Sequence, residues 1–159
     1  MIKRSVLNSN VSNVSYRTYL NIQEEYKRNI ASPSYKNFDV FLCHASKDIE
    51  EILKLKAYIK YYENKDAYLC EVDDPQLDPS KANKKTAEVL QNRMEHCKEL
   101  YFVISKNSQK STWMPWELGY FNGKKVYPKI YVYPIIDNYE SDVHDYEGHE
   151  YLELYPIKK

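Results

Sequence analysis

The stretch Phe38-Asp39-Val40-Phe41-Leu42-Cys43 constrains this chain more than any other. It is almost continuously apolar, too short for a core helix, and bounded by polar residues. Such a run reads as a strand buried on both faces, and strands of that kind occur where helices cover a parallel sheet. A helical pattern follows at once. Ile52, Leu55, Ile59 and Tyr62 recur on one helix face, with Asp48 placed as N-cap and Glu51 as its capping-box partner. The alternation then repeats. Ala67 to Val72 reads as a second strand ending at Asp73-Asp74-Pro75, and a loop runs from there to Asn83. Ala87, Leu90, Met94 and Cys97 mark a helix face, and Leu100 to Ile104 a third strand. A short helix starts at a Ser111 or Thr112 cap, carries Pro115 in its first turn and stops at Gly123. Ile130 to Ile136 is a fourth strand. Strands alternating with helices imply parallel βαβ units. Ligands in such sheets sit at the carboxyl ends of strands, here the loops after Cys43, Val72 and Ser105.

The remainder of the chain narrows the function by exclusion. Its 159 residues suit one α/β domain over 37–159, preceded by an arm and helix over 1–36. Residues 1 to about 15 are polar and aperiodic and read as a loose arm. Tyr16, Tyr19, Leu20, Gln23, Tyr26 and Ile30 then follow at helical spacing up to Ala31-Ser32-Pro33. Lys plus Arg and Asp plus Glu both number 23, so the formal net charge is zero and no basic stripe points to nucleic acid. No stretch approaches the roughly 18 apolar residues of a membrane span, and the basic start lacks the apolar core of a signal peptide. Three cysteines, Cys43, Cys70 and Cys97, read as small core hydrophobes in a cytoplasmic protein. His144 and His149 lie in a polar segment without a helix to orient them, so no metal site is expected. No G-x-S-x-G elbow, P-loop or G-x-G-x-x-G is present.

Two motifs carry a resemblance. The first is the opening strand with its loop, Phe38 to Asp48. The second is Ser111-Thr112-Trp113-Met114-Pro115-Trp116-Glu117-Leu118-Gly119. Their order and spacing resemble the TIR (Toll/interleukin-1 receptor) domain family, whose first strand commonly reads D-V-F-[IL]-S-[HY]; Cys43 stands here in place of Ser. The W-x-x-x-E pattern at Trp113 and Glu117 is similar to that of NAD⁺-consuming members. The longer string through Gly123, and the tail Gly148-His149-Glu150-Tyr151-Leu152, resemble stand-alone bacterial TIR proteins of Thoeris-type antiphage defence. The resemblance implies a flavodoxin-like parallel sheet of order 2-1-3-4-5 flanked by helices. It also implies homo-oligomers formed through the loop after the second strand, where Leu77-Asp78-Pro79-Ser80-Lys81 departs from the usual glycine. NAD⁺ is then the substrate, with no resident cofactor, and a separate downstream effector would bind the nucleotide product.

The residue types suit that chemistry. Nicotinamide leaves NAD⁺ as a neutral molecule, so no general acid is needed, and the demand falls on an oxocarbenium-like ribose. One fixed carboxylate can hydrogen-bond a ribose hydroxyl and stabilise the developing cation. Glu117 is the candidate. Trp113, four residues earlier, shares its helix face and can stack on a substrate ring. Trp116 is read as core. Ser46 and backbone N–H groups of the His44-Ala45-Ser46-Lys47 loop are candidates for the phosphates, and Asp73, by family match at the pocket rim, for a ribose. His44 is open between a pocket residue and a satisfied strand-end histidine, and Lys47 reads as a solvated loop residue. The alternative function is a non-catalytic TIR adaptor acting by assembly. A nucleoside deoxyribosyltransferase-like enzyme shares the architecture and the catalytic carboxylate. A response-regulator receiver is set aside, because it needs an acidic pair where this strand ends in Cys43-His44. Whether the product is ADP-ribose, a cyclic isomer or a conjugate stays open at this level.

Overall fold

The structure, a computed structural model, describes residues 1–9, 14–78, 80–137 and 149–158. Its strands are β1 (Ile2–Lys3), β2 (Phe38–Cys43), β3 (Ala67–Tyr68), β4 (Cys97–Ile104) and β5 (Lys129–Ile136). Its helices are α1 (Arg4–Ser9), α2 (Val14–Arg28), α3 (Ile49–Tyr58), α4 (Cys70–Asp73), α5 (Lys84–Glu95) and α6 (Trp113–Lys124). The strands form one parallel sheet in the order β1-β5-β4-β2-β3. Alternate residues of the central strands feed two cores. Val40, Leu42, Tyr101 and Val103 pack with α1, α2 and α3 on one face. Phe41, Cys43, Leu100 and Phe102 pack with α5 and α6 on the other. This is the flavodoxin-like α/β arrangement expected from the alternation of apolar strands and helical faces.

The fifth sheet position has an unexpected origin. Ile2 and Lys3 pair with Ile135 and Ile136, while Ile157 bridges Val132 further along the same edge of β5. Pro156 and Lys158 complete the ladder through their bonds with the Val132 backbone. The amino group of Met1 donates to the carbonyl of Lys158, so two chain segments lie end to end as one strand. The expected loose arm is therefore corrected: Ile2 and Leu7 are buried in the core, and Arg4 pairs with Glu51 and Asp137. Two isolated apolar anchors are too few to register as a periodicity.

Other local expectations are also corrected. The second strand stops at Tyr68, and Cys70–Asp73 turns into a helix because the Asp73 carboxylate accepts from the Leu69 N–H at 2.9 Å. Asp48 precedes α3 but makes no side-chain cap. It is buried and holds the loop after β4 instead, accepting from Ser105 Oγ and, at 2.5 Å, from Asn107 Nδ2. Helix α2 buries Tyr19 and Ile22, leaving Tyr16, Leu20 and Tyr26 substantially exposed, and ends at Arg28 because Asn29 takes the left-handed conformation (φ 54°). The α3 face holds for Ile52, Leu55 and Ile59, but a π-turn at Ile59–Glu63 swings Tyr62 outward. Ser111, not Thr112, caps α6 by accepting from the Met114 N–H, and the helix continues through Gly123 to Lys124. The segment holding His144 and Gly148 lies outside the described residues.

Candidate active site

A cavity of about 370 Å³ opens at the carboxyl end of β2, near the point where the connections after the neighbouring strands β2 and β4 run in opposite directions. Its volume falls within the range of small-molecule sites. Phe41, Leu42 and Leu90 give it apolar walls. Its polar side chains arrive from several separate elements. The loop after β2 supplies His44, Ser46 and Lys47. The turn of α4 supplies Glu71, the loop after β4 supplies Asn107, and the first turns of α6 supply Trp113 and Glu117.

Glu117 is 7% exposed and, among the described residues, makes no ion pair. Burial raises its carboxyl from the usual 4.5 to about 7, with Glu71 adding to the rise. The Cys43 thiol and the charge of His44 work against it. Cys43 lies under the carboxylate with its thiol 3.6 Å from the Met114 carbonyl, and burial pushes that thiol well above its ordinary value. Trp113 lies four residues before Glu117 on the same cavity wall and edge-on to Trp116, their ring centres 5.3 Å apart. Trp116 packs partly buried against the core and stacks on Tyr120.

His44 binds through both ring nitrogens. Nδ1 is 2.9 Å from the Leu42 carbonyl, and Nε2 is 3.2 and 3.1 Å from the two oxygens of Glu71. Burial alone would lower the imidazole. The charge and hydrogen bond of Glu71, with the Leu42 carbonyl, outweigh it and raise His44 to about 9. Glu71 is likewise subject to burial, which would raise it, but the charge and hydrogen bond of His44 hold it below the usual carboxylate value.

The sequence therefore points to four residues that meet around one cavity: His44, Ser46, Trp113 and Glu117. Lys47, expected as a solvated loop residue, also reaches its wall. Asp73 does not line the cavity. It is 3% exposed and turned away, bonded to Lys56 Nζ at 3.1 Å and to Ser32 Oγ at 2.8 Å. The acidic residue of this segment that does face the cavity is Glu71.

No family model matches the chain. It is 42% identical over 152 residues to a probable 3′ cyclic ADP-D-ribose synthase, ThsB′, of Bacillus cereus (strain MSX-D12), in an alignment covering 87% of this chain and 76% of that protein. The chain belongs to the ThsB′ family. In this ThsB′-type chain, Glu71 is the site residue that sequence reasoning passed over. Its signal was there to read: a lone charge inside the apolar run Tyr68-Leu69-Cys70-Glu71-Val72, at the carboxyl end of a strand. Asn107 was equally legible as part of the loop after β4.

Proposed function

We propose that this chain cleaves the nicotinamide–ribose bond of NAD⁺ and closes the remaining ADP-ribose into a cyclic signal, as an NAD⁺ cyclase of Thoeris-type antiphage defence. The observation that carries the reading is Glu117: a buried carboxylate without an ion-pair partner among the described residues, on the wall of an apolar cavity beside Trp113, in a chain 42% identical to a probable 3′ cyclic ADP-D-ribose synthase.

The chemistry follows from charge. The substrate enters with a cationic nicotinamidium ring, and departure of nicotinamide moves that charge to the ribose. Water is largely excluded around Glu117, so its anion acts on the developing cation with little screening. Burial makes ionisation of Glu117 unfavourable in the empty site, and the arriving cation favours it. The pocket thus becomes anionic in response to its substrate. Trp113 offers an indole face to the nicotinamidium, a contact of about 0.5–2 kcal/mol. Cyclisation requires a hydroxyl of the same molecule to attack the anomeric carbon. The C–N bond breaks with its electron pair going to nicotinamide, the new C–O bond forms, and the hydroxyl proton leaves to solvent. The apolar walls favour this outcome over hydrolysis by limiting competing water.

The further parts of the reading are cytoplasmic action, self-association through TIR–TIR contacts and a separate effector that binds the product. Asp78 and Ser80 of the loop between α4 and α5 reach the cavity wall, which would couple contacts made by that loop to the site.

The test is nicotinamide release from NAD⁺, with the product identified by mass and chromatography, for wild type and Glu117→Gln at high protein concentration. The expected outcome is release of nicotinamide and a cyclic product one water lighter than ADP-ribose, with turnover reduced by about 10²–10³-fold in the variant. Equal turnover by both proteins would remove Glu117 from the mechanism. Assembly without any release would favour the adaptor.

A further inference from the structure

His44 has an acceptor at each ring nitrogen. The Leu42 carbonyl can only accept, so Nδ1 must carry a proton to meet it at 2.9 Å. Nε2 lies almost equally far from both oxygens of Glu71, at 3.2 and 3.1 Å. That is the geometry of one N–H shared by a carboxylate. A protonated Glu71 donating to a bare nitrogen would approach with one oxygen alone. An imidazolium, with hydrogen on both nitrogens, is the form that satisfies both contacts at once. It is well enclosed, with its side chain 6% exposed against 14% for Glu71.

We propose that Glu71 locks His44 as an imidazolium on the cavity wall at neutral pH, and that this fixed cation eases ionisation of the neighbouring Glu117 as positive charge develops on the substrate. His44 is then a positioning residue, not an acid or base: both its protons are committed, and neither is free to move during turnover. The pair is neutral overall, so it adds no net repulsion toward a cationic substrate. The ionisable groups acting on Glu117 are Cys43 and His44 from the end of β2 and Glu71 from α4. Lys47, Asp78 and Lys110 stand elsewhere on the cavity wall. Among these, His44 is the cation whose charge acts directly on Glu117, opposing the effect of Glu71 and of burial.

The kinetic part rests on the NAD⁺-cleaving reading, and the charge of His44 does not. Two measurements separate them. The first is NMR of the ¹⁵N-histidine-labelled full chain between pH 6 and 10, with His44→Gln assigning the resonance. Both His44 nitrogens are expected to remain protonated at pH 8 and to titrate near 9; in Glu71→Gln the same ring should titrate lower than in the wild type, because burial is then opposed only by the Leu42 carbonyl and Glu117. A neutral His44 at pH 8 in the wild type overturns the proposal. The second is the pH profile of nicotinamide release. In His44→Gln, Glu117 faces Glu71 without the intervening cation. The acid limb of kcat/KM should then move up by about one pH unit, with KM at saturating pH changed less than about twofold. A profile that loses height without moving would reduce His44 to a structural strut and overturn its proposed effect on Glu117. If wild type released no nicotinamide, the functional reading would fail and the NMR titration would still decide the charge of His44.

Discussion

Residues 70–74 face two ways, and the two sides treat charge differently. Toward the cavity, Glu71 pairs with His44 beside a Glu117 that has no ion-pair partner among the described residues. Away from it, Asp73 and Asp74 enter a cluster in which buried charges are matched and bonded. Lys56 Nζ meets Asp73 at 3.1 Å and donates to the Ala67 carbonyl at 2.5 Å. Arg93 grips Asp74 with two N–H groups at 2.7 and 2.9 Å, and gives two more to the carbonyls of Ser32 and Pro33. The Tyr68 hydroxyl donates to Asp74 at 2.9 Å. A buried charge with partners on every side is a strut that ties the linker before β2 to α4 and α5. A buried carboxylate left underpaired sits at a free-energy disadvantage that a bound cation can relieve. The lesson is that burial of an acid marks a site only when its partners are too few.

Breaking the strut should give the largest effect. Arg93→Met strands Asp74 as a buried anion and is expected to destabilise the fold by about 3–5 kcal/mol, measured by denaturant unfolding. Adding Asp74→Leu to that variant should recover much of the loss; no recovery would show that Arg93 acts through the Ser32 and Pro33 carbonyls alone.

On the cavity side the sign reverses. The folded state raises Glu117 to about 7, so it binds that proton more tightly than the unfolded chain does. The group's contribution to stability is therefore intact below about pH 4.5 and is eroded as pH rises through 7. Glu117→Gln should match wild type near pH 4 and exceed it at pH 8, by at most roughly 3 kcal/mol. A variant less stable than wild type at pH 8 would mean that the carboxylate is a structural element after all. The smallest effect belongs to Trp113→Ala, where loss of a ring contact of about 0.5–2 kcal/mol should raise KM for NAD⁺ by roughly 2- to 30-fold. A fall in unfolding temperature with KM unchanged would make Trp113 a core residue.

Much of this was legible from the sequence. The β2 run, the helix face at Leu90 and Met94, and the Trp113–Glu117 spacing depend on local patterns, and local patterns survive in a sequence. What did not survive were roles set by distant partners. Asp48 has the spacing of a cap, yet the loop at Ser105 and Asn107 claims its oxygens. Asp73 looks like a rim residue until Lys56 and Ser32 draw it inward. Glu71 was hidden because the second strand ends earlier than its apolar pattern suggests, which turns its side chain onto the cavity.

The composite strand beside β5 has a consequence for the order in which the fold can form. Ile2 and Lys3 find their partners at Ile135 and Ile136, and the Met1 amine finds its own at Lys158. These pairings close the longest loops in the molecule, and loop closure must precede any gain from the contact. The central strands can assemble around β2 and β4 while both chain segments are still searching. That edge of the sheet is thus expected to zip last on refolding and to open first in native-state hydrogen exchange, well away from the cavity at the opposite end of the strand order.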